Sequence, residues 1–303
     1  MIGRLQDLST IFLSIVLQSL PFILIGVFAA AAVEVYVPDR IVARWVPRRR
    51  LPAVLVGSLF GLVAPVCDCG AIPFARRLVA KGVPVHVGVA FILAAPVVNP
   101  VVALATAVAF QWNWRIVVLR LMMALSAATA IGLLGAALFP ADTGLARRAK
   151  VPGETVSPAA LPGVRPGGSP GRLLAQANAD FLDIVFYIVL GAFFTAATQT
   201  LVPRFLLRTV GGDGLASALV MMPLATMLSL CSEADAFVAR AFANSFTSGS
   251  VLAFMVIGQI VDLRNGLLLF RTLRTAYVVL ILGVSYPLVF LEAVAINAWR
   301  ASL

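Results

Sequence analysis

Apolar runs alternate with short polar clusters from one end of this chain to the other. Residues 11–37 are apolar and stop at Pro38. Residues 51–66 are apolar but short, and stop at Cys67-Asp68-Cys69-Gly70. Residues 71–81 are only mildly apolar and carry Arg76, Arg77 and Lys81. Residues 83–110 form a long run with Pro96-Val97-Val98-Asn99-Pro100 in its middle, and 115–139 form another. Crossing a bilayer takes roughly 20 residues of helix, so the pattern predicts an all-α polytopic membrane protein. Residues 141–172 change character. They are rich in Pro, Gly and Ser and carry Arg147, Arg148, Lys150, Arg165 and Arg172, which reads as a flexible surface linker.

After the linker the pattern begins again. Residues 181–202 are apolar and end at Pro203, and Gly191 to Pro203 repeats the spacing of Gly26 to Pro38. Residues 216–230 form a short apolar run that stops at Cys231, as 51–66 stops at Cys67. Ala239-Arg240 answers Ala75-Arg76, Ala253-Phe254 answers Ala90-Phe91, and Asp262 falls where the first half has Asn99. Residues 275–295 supply the last span. Two similar halves joined by a polar linker are a common transporter plan. The expected division is a first transmembrane repeat at 1–140, a basic Pro/Gly-rich linker at 141–178 and a second repeat at 179–303.

Composition agrees with a membrane location. The chain is 61% hydrophobic and 12% charged, where a soluble domain is about a quarter charged. The apolar stretch near the start exceeds the 7–15 residues of a signal-peptide core, so a retained first helix is expected. The net charge of +10 resides mostly in loops, so it speaks for membrane orientation and not for nucleic acid. Charge placement favours inverted repeats, each with three crossings and one re-entrant hairpin tipped by a cysteine motif. Arg40, Arg44, Arg48, Arg49 and Arg50, the Arg76–Lys81 segment, the linker, and Arg264, Arg271 and Arg274 then share the cytoplasmic side. Arg4, Arg115, Arg120, Arg204, Arg208, Arg240 and Arg300 are left outside. Parallel repeats with four crossings each put the Arg40–Arg50 loop and the linker on opposite sides.

The candidate chemistry lies at two breaks. All three cysteines fall there: Cys67 and Cys69 in Pro65-Val66-Cys67-Asp68-Cys69-Gly70-Ala71-Ile72-Pro73, and Cys231 in Cys231-Ser232-Glu233-Ala234-Asp235-Ala236-Phe237. Pro removes a backbone donor and Gly relaxes the local conformation. Broken backbone at membrane depth survives only when buried in protein or lining a wet cavity. If the tips meet, Cys67, Cys69 and Cys231 offer soft sulfur ligands suited to soft metals and trivalent arsenic. Asp68, Glu233 and Asp235 could carry coupling protons or neutralise a cation. The plain alternative is that buried cysteines are small inert hydrophobes. Asn99 either lines the pathway or caps a broken helix. His86, beside Lys81, reads as an interfacial residue. Arg76 and Arg240 either pair with the carboxylates or snorkel to the headgroups.

The Pro-x-Cys-x-Cys-Gly-x-x-Pro element at Pro65–Pro73, with Cys-Ser-Glu-Ala-Asp-Ala-Phe at Cys231–Phe237, resembles the predicted-permease family that includes the bacterial trivalent organoarsenical efflux permeases. The resemblance covers both repeats but not the linker. It implies efflux by proton exchange without an ATP site, and the sequence has no Gly-x-x-x-x-Gly-Lys motif. Asp68 stands where the family commonly has Ser, which adds a negative charge between the thiols and favours a cation.

The sequence reading is therefore a secondary permease of the cytoplasmic membrane, not an enzyme, exporting a soft metal, metalloid or thiol-reactive solute without a cofactor. Its expected surroundings are the lipid bilayer and a small inorganic or organometalloid solute, with a homo-oligomer allowed and no nucleic acid. Two alternatives stand beside it. One is a membrane thiol oxidoreductase using Cys67 and Cys69, although the motif lacks the Cys-x-x-Cys spacing. The other is the membrane subunit of a multi-component transport system that docks a partner through the basic linker.

Overall fold

The computed structural model describes residues 2–36, 47, 49–62, 66–139, 178, 181–182, 185–186, 188–197 and 214–301. Arg40, Arg44, Arg48, Pro65, Pro203, Arg204, Arg208 and, except for Asn178, the linker at 141–178 lie outside them. The described residues are mostly helical, and among them there is no strand.

Among the described residues six helices precede the linker: α1 (Ile2–Tyr36), α2 (Arg50–Leu59) with a short 3-10 turn at Phe60–Leu62, α3 (Asp68–Ala80), α4 (Val85–Ala94), α5 (Pro100–Ala109) and α6 (Trp114–Leu138). Six follow it: α7 (Ile188–Ala197), then α8 (Gly214–Leu228), α9 (Asp235–Phe242), α10 (Ser248–Ile260), α11 (Leu263–Thr272) and α12 (Thr275–Ala301). Three described helical spans, Gln6–Ile25, Trp114–Leu138 and Thr275–Trp299, are long and apolar enough to cross a membrane. The protein is an integral membrane protein in which shorter helices are packed among longer ones.

Burial separates these two kinds of helix. Every residue of α10 from Gly249 to Ile260 is buried, as is all of α4 except His86. A helix that is apolar on all sides belongs in the interior, and these two occupy the centre. On the long helices large side chains remain exposed, among them Leu17 at 58%, Met122 at 54% and Leu291 at 62%. Such surface is stable where lipid covers it.

The packing pairs match across the linker. In the first half α2 packs on α4, α4 on α6, α2 on α6, α3 on α4 and α5 on α6; in the second half α8, α9, α10, α11 and α12 make the corresponding contacts. Between the halves the exchange is reciprocal: α3 packs on α11, and α9 packs on α5. α6 and α12 lie against each other and run antiparallel. Ser126 meets Glu292 near one end of the contact, and Phe139 stacks on Tyr277 at the other, with ring centroids 4.6 Å apart.

One tight contact recurs with its residues exchanged. A methyl added at Gly61 would lie 2.7 Å from Ala95 Cα and 2.8 Å from the Val98 carbonyl oxygen. In the second half the alanine is Ala225 and the glycine is Gly258, whose added Cβ would sit 3.2 Å from the Ala225 methyl. Small residues let helix backbones approach closely where lipid offers no hydrophobic drive.

Candidate functional site

Each half has a break before its short helix α3 or α9, and the two breaks are built alike. At the first, Cys67 is extended, with φ −76° and ψ 174°. The Cys67 carbonyl accepts from the Gly70 and Ala71 amides at 3.0 and 2.9 Å. At the second, the Cys231 carbonyl accepts from Ala234 and Asp235 at 3.0 and 2.9 Å. The two cysteines therefore hold the same backbone position, at the turn that starts the next helix.

A second break lies further along each half, and it too is capped in both. Asn99 Oδ1 accepts from the Val101 amide at 2.9 Å and caps α5. Asp262 Oδ1 accepts from the Asn265 amide and caps α11. Both residues are buried. Of the two expected roles for Asn99, its oxygen performs the capping one. In the second half the two breaks touch. Ser229, held at φ 45°, donates to the Thr226 carbonyl at 3.0 Å and accepts from the Leu263 amide at 3.0 Å.

Of the expected site residues, Cys67 is buried at 8% exposure, and its thiol is not in a disulfide. It belongs to the main apolar core, which also holds Phe74 and Phe91, 5.4 Å apart between ring centroids. Asp68 and Cys69 form the first turn of α3, and their side chains lie outside the description. Cys231 and Glu233 are half-buried, and Asp235 is buried at 2% exposure. Among the described residues no group of three or more His, Cys, Asp and Glu comes together to hold a metal ion.

Asp235 is the centre of a polar cluster. Its carboxylate accepts from Arg120 Nη2 at 2.7 and 2.9 Å and from Gln259 Nε2 at 2.8 Å. Gln259 also donates to the Leu230 carbonyl at 3.3 Å, so one amide ties both sides of the break. Arg120 Nη1 donates to Thr106 Oγ1 at 2.7 Å, and Nη2 reaches the Ser232 carbonyl at 3.4 Å. Arg120 Nε, Ser232 Oγ and Gln259 Oε1 are buried with no hydrogen-bond partner among the described residues.

The sequence reading counted Arg120 with the sparse basic residues of the outer side and gave it no role in the site. Within α6 it is 1% exposed and is the counter-charge to Asp235. Desolvating an arginine is tolerated only when its charge and donors are answered. Neither sequence candidate takes that place: Arg240 is exposed, with its guanidinium 5.9 Å from the Phe110 ring centre, and Arg76 is half-buried on α3. Arg120, Gln259 and Thr106 are the site residues that sequence reasoning missed. The available signal was Arg120 itself, an ionisable residue inside an apolar helix, where such a group is a functional candidate by default; Gln259 and Thr106 carried no comparable signal.

Helices of membrane-crossing length packed with shorter, broken helices that bury a polar cluster define an integral membrane protein. The family model described as "Predicted permease" (ArsP_1) matches residues 4–298. The chain belongs to this predicted permease family. It is 39% identical over 276 residues to the UPF0718 protein YcgR of Bacillus subtilis, covering 91% of this chain and 92% of that one. It is 32% identical over 293 residues to a Streptococcus mutans protein named as a subunit of a two-component membrane permease complex, covering 96% and 95%. No solved structure matches the chain at a significant level.

Proposed function

We propose that the protein is a proton-coupled secondary permease of the cytoplasmic membrane that exports a soft metal, metalloid or thiol-reactive solute. Cys67, Cys69 and Cys231 are its solute ligands, through the preference of thiolates for soft ions. Asp68, Glu233 and Asp235 carry or exchange the coupling proton. The observation that carries this reading is the equivalent setting of Cys67 and Cys231, each at a break in an otherwise apolar helical half. Asn99 shapes the pathway as a cap, with its amide nitrogen available to solute.

In this reading residues 1–140 and 179–303 are inverted repeats, and 141–178 links them. Reciprocal packing of α3 on α11 and α9 on α5, and the antiparallel run of α6 against α12, support it. An in-plane two-fold axis places corresponding helices in that manner.

Everted membrane vesicles test the function. With a proton gradient they should accumulate a trivalent organoarsenical above vesicles lacking the protein. Equal accumulation in both would refute the substrate class. Cys231→Ser should weaken solute binding, while Glu233→Gln or Asp235→Asn should reduce gradient-driven flux and leave gradient-free exchange in at least one of the two.

The name of the Streptococcus mutans relative favours a second reading, in which the chain is the membrane subunit of a two-component permease. Purification from native membranes distinguishes the two. A stoichiometric partner required for uptake supports the subunit; uptake by the purified chain alone in liposomes supports the self-sufficient carrier.

A further inference from the structure

The seam between α6 and α12 holds a carboxyl group that neither break uses. Ser126 is the middle residue of the Trp114–Leu138 span, and Glu292 lies within the Thr275–Trp299 span, about two turns from its end. Ser126 Oγ is 2.5 Å from Glu292 Oε1 and 2.8 Å from the Met123 carbonyl oxygen. A serine hydroxyl has one proton, and here two oxygens lie within its reach. With that proton on the Met123 carbonyl, the contact to Glu292 is satisfied by a proton carried on the carboxyl. Glu292 Oε2 is buried and has no hydrogen-bond partner among the described residues.

Among the described side chains no basic group is paired with this carboxyl. Helices α8 and α10, packed on α12, contain no charged residue. On α6 the basic residues are Arg115, exposed at the helix start, and Arg120, bonded to Asp235. Arg264, Arg271 and Arg274 belong to or follow α11, at the opposite end of α12, and Arg300 lies two turns beyond Glu292. Ser126 is exposed, Glu292 is half-buried, and the adjacent Met122 and Leu291 are 54% and 62% exposed. The pair thus sits at the lipid-facing edge, well inside the span, where an unanswered carboxylate is costly.

We propose that Glu292 and Ser126 form a proton-binding site at the lipid-facing α6–α12 seam, separate from the cysteine breaks. The site provides a second location for a transported or coupling proton, and it does not depend on which solute the breaks bind.

An apolar carbodiimide tests this, because it enters from lipid and reacts with the proton-bearing form of a carboxyl group. The full-length protein in native membranes is treated with dicyclohexylcarbodiimide at a series of pH values, digested and analysed by mass spectrometry. The expected result is an adduct on Glu292 that declines as pH rises and is absent from Glu292→Gln. Assignment to Glu292 is made on the unsubstituted protein, so it stands even if the variant fails to insert. An adduct on Asp235 in place of Glu292, no adduct on Glu292 at any pH, or labelling of Glu292 that ignores pH would overturn the proposal.

Discussion

At the two cysteine breaks the backbone is shared and the charge is not. Cys67 and Cys231 each accept the amides three and four residues on. The fourth residue is Ala71, fully buried, in the first half, and Asp235, bound to Arg120 and Gln259, in the second. Because alanine completes the turn equally well, the fold of the break does not require the carboxylate. Splitting a buried ion pair leaves an uncompensated charge worth about 3–5 kcal/mol, whereas an apolar replacement of both partners is often neutral. The pair is therefore a poor choice for stability alone. Arg120 belongs to the first half and Asp235 to the second, so the interaction also fixes one half against the other at the level of the break.

The largest expected effect comes from splitting that pair. Arg120→Leu should lower stability by about 3–5 kcal/mol, read as thermal unfolding of the detergent-solubilised protein. Adding Asp235→Ala, which gives the second break the residue found in the first, should recover most of the loss. A double variant no more stable than Arg120→Leu would mean that the asymmetry is structural. A smaller effect tests the exchanged glycine contact. Gly61→Ala should cost about 1–3 kcal/mol through overpacking, and Ala95→Gly added to it should restore part of that. Gly258→Ala should cost less, because its neighbour is a methyl group at 3.2 Å and not backbone at 2.7 Å. The smallest effect concerns the caps: Asn99→Ala and Asp262→Ala should each cost about 0.5–2 kcal/mol. A large excess at one of them would show that the second pair of breaks is not equivalent.

The apolar runs made the helices legible, since length and hydropathy set spans directly. The breaks were legible too, because Pro65, Pro96 and Pro100 interrupt the first-half runs and a cysteine recurs at the corresponding place in the second, although Gly70 and Pro73, read as part of the first break, lie within α3. What could not be read was which polar residues meet. Arg120 and Asp235 are 115 residues apart in sequence, and no local pattern joins residues so distant. The positive-inside rule gave Arg120 no role in the site, because that rule counts basic residues in loops and says nothing of one paired with a buried carboxylate. Gln259 and Glu292 were lost in apolar helices for the same reason: their partners, Leu230 in the break and Asp235 and Ser126 on other helices, lie far away in sequence.

In the proposed function the two breaks serve one solute. Protection of the thiols tests it most directly. The protein in membranes is incubated with a trivalent organoarsenical, then alkylated, and Cys67 and Cys231 are quantified by mass spectrometry. The account predicts that both thiols are protected over the same concentration range, and that Cys231→Ser weakens protection at Cys67. Protection of Cys67 that is unchanged by Cys231→Ser, with Cys231 itself alkylated freely in the unsubstituted protein, would contradict it.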